Sequence, residues 1–109
     1  MKIAVAKEDE NVAEHFGHCT EYAFFDVEDG KIAGREDLKS PEHAPGVIPK
    51  FLKENGADVV LACGIGQGAL DLFSEMGIKV YIGVQGSIDS AIKSYLDGTL
   101  TSGSNFCDH

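Results

Sequence analysis

Apolar positions along this chain follow two rhythms. Residues 2–6 and 21–27 are short runs rich in Val, Phe, Tyr and Ile, the pattern of buried strands. The second run leads into Glu28-Asp29-Gly30-Lys31, whose Asp-Gly pair suits a tight hairpin, so a third strand over about 32–38 is predicted antiparallel to the second. Beyond a Pro-containing connection at 40–45, Val47, Ile48, Phe51 and Leu52 recur at helical spacing, and Asn55-Gly56 supplies a stop. Residues 58–63 form a continuous apolar run closed by glycines. Ala69, Leu70, Leu72, Phe73 and Met76 then return to helical spacing with a stop at Gly77, residues 78–82 read as another buried strand, and 87–96 read as a helix. Ser87 is placed to cap that helix, whereas Ser90 is not the Glu or Gln of a full capping box.

The order βββαβαβα predicts an antiparallel meander continued by right-handed β-α-β crossovers, giving a five-stranded mixed sheet with helices on its faces. With the predicted strands counted along the chain, the expected order is 3-2-1-4-5. The first and fourth strands are then neighbours whose onward connections diverge, which opens a crevice at their carboxyl ends. The loop over 7–20 and the turns over 63–68 and 83–86 are predicted to border it. From Gly98 the composition turns to Gly, Ser, Thr and Asn, so one α/β domain over 1–97 is expected to carry a flexible tail over 98–109. Extended, that tail spans roughly 40 Å, about twice the roughly 20 Å of a typical strand. Cys107 and His109 therefore come within reach of the crevice, and the tail is expected to close over it.

Composition narrows the partners. A chain of 109 residues hides roughly 65% of its unfolded surface on folding, enough for a core without metal or disulfide staples. Nine Lys and Arg against 18 Asp and Glu give a net charge of −9, which opposes phosphate contacts and sets aside nucleic acid and anionic membrane as primary partners. No apolar stretch approaches the roughly 18 residues needed to span a bilayer, so a cytoplasmic location is expected. Three cysteines, an odd number without a repeating framework, favour reduced thiols.

Five of the seven cysteines and histidines fall in two short segments, His15-Phe16-Gly17-His18-Cys19 and Asn105-Phe106-Cys107-Asp108-His109. Thiolate and imidazole are the ligands of zinc and of iron–sulfur centres. With Gly17 as a pivot, the first segment can turn two or three soft donors toward one centre, but no C-x-x-C pair or ferredoxin spacing accompanies it. The alternative is that Phe16 anchors the loop, the histidines are ordinary surface residues and Cys19 is a small buried hydrophobe. Cys107 and His109 follow a polar segment that packing does not explain, which favours ligation over a ragged terminus. Cys63 suits the core better than a ligand role. Gly64, Gly66 and Gly68 open a helix whose backbone N–H groups can hold an anion, although tight turning explains them equally well. The acid that a dinucleotide-binding reading of this turn requires is missing from 79–83. Glu8-Asp9-Glu10 reads as a solvated loop, and His43, between prolines, receives no role.

Taken together, Met1-Lys2-Ile3-Ala4-Val5-Ala6, the His15-Phe16-Gly17-His18-Cys19 loop, the Gly64-Ile65-Gly66-Gln67-Gly68-Ala69 turn and the Cys107-Asp108-His109 end resemble the dinitrogenase iron–molybdenum cofactor biosynthesis family, which includes NifX-like proteins and a domain of NifB. The resemblance implies a ribonuclease-H-like three-layer α/β/α fold. It also implies binding or carriage of iron–sulfur-containing or iron–molybdenum-type cofactor precursors, with His15, His18 and Cys19 as candidate ligands and donor and acceptor proteins as partners. The fold name brings no nuclease activity, because that chemistry needs carboxylates on the central strands and the first strand has no acid at its centre. A non-catalytic cluster carrier is the expectation, with Cys19→Ser more damaging than Cys63→Ser. The alternatives are an enzyme using Cys19 as nucleophile and a structural zinc or anion-binding module.

Overall fold

A computed structural model describes residues 1–42 and 46–100. Its centre is β1 (Lys2–Glu8), in which Ile3, Ala4, Val5 and Ala6 are all fully buried. Complete burial of consecutive residues requires cover on both faces of the strand. Ile3 and Val5 point to one face, where they cluster with Ala23, Phe25, Leu61 and Cys63 under Ile88, Ala91 and Ile92 of α3 (Ile88–Asp97). Ala4 and Ala6 point to the other, where they cluster with Tyr22, Phe24, Val60 and Ala62 under Ile48 and Leu52 of α1 (Val47–Glu54) and Phe73 of α2 (Gln67–Glu75). The small residues are matched to large ones, since Ala4 lies opposite Phe24 and Ala6 opposite Tyr22 on the neighbouring strand.

Among the described residues the sheet has six strands, one more than expected. The extra strand, β2 (Asn11–Val12), folds back on β1 through a turn in which Asp9 takes φ 56°, with Lys7 opposite Val12 and Glu8 opposite Asn11. Two residues inside a charged loop carry no periodicity, so this strand leaves no hydrophobic signature. β3 (Glu21–Glu28) and β4 (Lys31–Lys39) form the predicted hairpin. Asp29 and Gly30 both have positive φ, 52° and 74°, as a two-residue hairpin with native twist demands. β5 (Val59–Leu61) and β6 (Lys79–Tyr81) lie parallel to β1. The order β4-β3-β1-β5-β6, with β2 set on the end of β1, matches the predicted 3-2-1-4-5 once β2 is set aside.

Helix boundaries follow local chemistry. Ser87 caps α3 by accepting the Ser90 N–H at 3.1 Å, and Gly98 closes that helix in the left-handed region at φ 77°. Among the described residues no helix is long and apolar enough to cross a membrane.

Candidate functional site

Three loops meet at the carboxyl ends of β1 and β5. The chain leaving β2 enters a single 3₁₀ turn, Phe16–His18, and that loop is stitched to the glycine turn after β5. The Phe16 N–H donates to the Gly64 carbonyl at 2.8 Å, the Gly64 N–H donates to the Glu14 carbonyl at 2.9 Å, and His15 pairs with Gly64 as an isolated parallel bridge. The third loop joins from the other side, where the Val12 N–H donates to the Gly86 carbonyl at 2.9 Å and the Ile88 N–H to the Glu10 carbonyl at 3.0 Å. The crevice expected from topology is thus present, and its walls are held by backbone hydrogen bonds.

Phe16 anchors the loop. Its side chain is 3% exposed and packs against the rings of Tyr22 at 5.5 Å and Phe73 at 5.6 Å. With Phe16 turned inward, His15 and His18 on either side of it are exposed, their rings 6.2 Å apart and nearly perpendicular at 88°. His15 stands between two openings. One, of about 480 Å³, is lined by Val12, Glu14, His15, Cys63, Gln85 and Gly86. The other, of about 270 Å³, lies between the histidine loop and the start of α2, with His18, Gly17 and Gly66 in its wall.

Glycine is not demanded by backbone conformation at Gly17, Gly66 or Gly68. None of the three has positive φ, and a Cβ at any of them would meet nothing within 4 Å. Positive φ therefore does not account for them, and Gly17 and Gly66 leave open space beside the histidines. Gly68 lies within the first turn of α2 and Gly66 is its N-cap.

The cysteines separate. Cys63 lines the larger opening at the end of β5. Cys19 lines neither opening that His15 borders; it lies in the apolar cluster under α1 and α2, with its thiol donating to the Phe16 carbonyl at 3.5 Å. Burial pushes the Cys19 thiol above its ordinary range, so the thiolate needed of a nucleophile or ligand is disfavoured. Adjacency to His18 in sequence does not bring the Cys19 sulfur to the histidine side of the loop.

Among the described residues, no three His, Cys, Asp or Glu side chains group to hold a metal ion. The closed four-ligand zinc site of a structural zinc module is therefore not built by them. His43, Cys107 and His109 lie outside the described residues. Neither opening has Lys or Arg in its lining. Nearby, Lys7 pairs with Glu21 and Asp37 at 3.0 Å each, and Arg35 pairs with Asp37 at 2.8 Å and Glu10 at 3.3 Å. Glu14 and Gln85 lie in the loop and turn expected to border the crevice, but neither is singled out by the sequence, because no periodicity in those segments marks a direction.

Residues 1–98 match the sequence pattern of the family described as dinitrogenase iron-molybdenum cofactor. An uncharacterized protein of Methanocaldococcus jannaschii is 31% identical over 105 residues, spanning 92% of this chain and 89% of its own. The crystal structure of the protein PH0822 superposes with a TM-score of 0.88 at 36% identity, over 94% of each chain. The apo form of the orange protein from Desulfovibrio gigas shares the fold, with a TM-score of 0.78 at 23% identity over 95% of this chain and 93% of that one.

Proposed function

The chain belongs to the dinitrogenase iron-molybdenum cofactor family, and on that premise we propose that it binds and carries an iron–sulfur-containing cofactor or its precursor beside His15 without transforming it. The observation that supports this most is the pair of exposed imidazoles held at 6.2 Å over a cleft whose glycines leave room for a bulky cargo. A resident structural metal wants a closed ligand set, whereas a carrier must release what it holds. Two imidazoles with open positions beside them suit the second task. In this reading Cys63 adds a sulfur donor from the larger opening, and Cys107 and His109 add further donors. A net charge of −9 and linings without Lys or Arg mean that donor atoms, rather than ion pairing, hold the cargo. Carriage implies one protein that supplies the cluster and another that receives it.

Anaerobic reconstitution with ferrous iron and sulfide, followed by metal analysis and absorption spectroscopy, tests the reading. The wild-type protein is expected to retain iron and sulfide, and the His15→Ala/His18→Ala double variant to lose most of both. Equal iron content in the two proteins, or none in the wild type, overturns it. Chelation is expected to strip the metal while circular dichroism still shows a cooperative melt, because the two apolar layers supply the core.

A further inference from the structure

We propose that Tyr22 is the positioning residue of the histidine loop, its phenol clamping the Phe16 carbonyl and so setting where His15 and His18 stand. Tyr22 is wholly buried in β3, between Ala6 of β1 and Leu38 of β4, so its backbone is fixed by ladders on both sides. From that fixed base the hydroxyl donates to the Phe16 carbonyl at 2.6 Å. The Cys19 thiol reaches the same oxygen at 3.5 Å, so two buried donors converge on one carbonyl inside the turn that carries both histidines.

Packing alone does not call for a tyrosine here. The ring meets Phe16 at 5.5 Å and Phe51 at 6.1 Å, contacts that phenylalanine would reproduce without burying a hydroxyl. The hydroxyl adds direction. Phe16 is held by its ring against Phe73, by its N–H on Gly64 and by its carbonyl under Tyr22. Three holds at one residue leave the flanking histidines little freedom, which is how a supporting shell orients ligands it never joins. Burial pushes the phenol far above its ordinary range, which favours the protonated, donating form.

The proposal rests on the reading of His15 and His18 as cargo-facing, and its test separates the two. Tyr22→Phe in the whole chain is expected to leave amide protection in β1 and β5 unchanged. Exchange at residues 16–19 should rise about tenfold, and the cross-relaxation between the two imidazole rings should weaken; both are seen by NMR without any metal. On reconstitution with ferrous iron and sulfide, the variant should release iron about tenfold faster than wild type, in the range typical of lost ligand-orienting bonds. Unchanged ring signals and loop exchange in Tyr22→Phe overturn the clamp. If wild-type protein retains no iron, the carrier reading fails while the metal-free signals still decide the clamp. Should Tyr22→Phe not fold, the wild type decides it: a slowly exchanging Tyr22 hydroxyl proton close to Phe16 is expected, and its absence overturns the clamp.

Discussion

Cys19 and Cys63 are equally buried, each 4% exposed, yet they lie in the clusters on opposite faces of the sheet and differ in what lies beyond them. Cys19 is enclosed by the layer under α1 and α2 and spends its proton on the Phe16 carbonyl. Cys63 ends the run that begins as β5, and one side of it opens on the cleft shared with His15 and Glu14. The difference shows that distance along the chain is a poor guide to a ligand set at a switch point. A residue adjacent to His18 is turned inward, while one 45 positions on from it shares a wall with His15 because β1 and β5 are parallel neighbours. Phe16 links the two regions: its ring belongs to the Cys19 side and its N–H to the turn that follows Cys63.

Breaking that link has the largest expected effect. Phe16→Ala removes a buried ring held between Tyr22 and Phe73, and truncation of a buried Phe costs about 3–5 kcal/mol. Urea denaturation should show that loss, together with exchange of the amides at 14–18 far faster than in wild type. A cost below about 0.5 kcal/mol, the level of a surface change, would mean that the loop is held by its backbone alone.

The next test sets the two cysteines against each other directly. Cys63→Ser should reduce iron retention after reconstitution by about 10- to 100-fold, the scale on which losing a ligand or its support registers. Cys19→Ser keeps a donor for the Phe16 carbonyl and should change retention far less. This ranking is the reverse of the one that sequence adjacency supports. The opposite outcome, with Cys19→Ser the more damaging, would require the loop to turn over on binding.

How much of this was legible before the structure follows from where physical signals are strong. Strand order was legible because the Asp29-Gly30 turn forces one antiparallel pair and the intervening helices force parallel crossovers. The Ser87 cap was legible because it has one favourable place to go, whereas the inward Phe16 was one of two readings that the sequence left open. β2 was not, since its two residues pair through backbone groups that leave no mark on side-chain pattern. The crevice was read correctly from topology, but which side chains line it depends on rotations inside loops. Glu14 and Gln85 fall in that class, and for Cys19 the same rotation decides between the ligand and the buried hydrophobe that the sequence left open. Tyr22 was read only as an apolar strand residue, because a buried hydroxyl declares its role only when its acceptor is known.

Gly17 permits a test in which stability and binding move in opposite directions. It has ordinary φ and open space where a Cβ would stand, so Gly17→Ala should stabilise the fold by about 0.4–1 kcal/mol through the unfolded chain. Gly17 borders the opening beside His18, so the added methyl is expected to narrow it. Tighter folding with weaker iron retention is expected from denaturation and reconstitution on one preparation. Stabilisation without loss of retention would place the cargo wholly on the Cys63 side of His15.

The smallest effect is confined to alkaline solution and belongs to Cys19 alone of the pair. Burial raises its thiol above the ordinary value of 9.0, so the folded protein keeps a proton that the unfolded chain gives up. Where the unfolded state binds fewer protons than the folded state, stability falls as pH rises. Cys19 therefore contributes its full share below pH 9.0, and that share declines as the pH climbs from there toward the raised folded value. Tyr22 adds a decline of the same sign, but only from 10.0 upward, because its ordinary value is higher. Cys19→Ala lacks the first decline and keeps the second. Its melting temperature should lie below that of wild type near neutrality, where the lost hydrogen bond and packing dominate, and the gap should narrow once the pH passes 9.0. Parallel melting curves for the two proteins across that interval would mean that the Cys19 thiol ionises as freely in the fold as outside it, and the sealed side of the comparison would then have to be open.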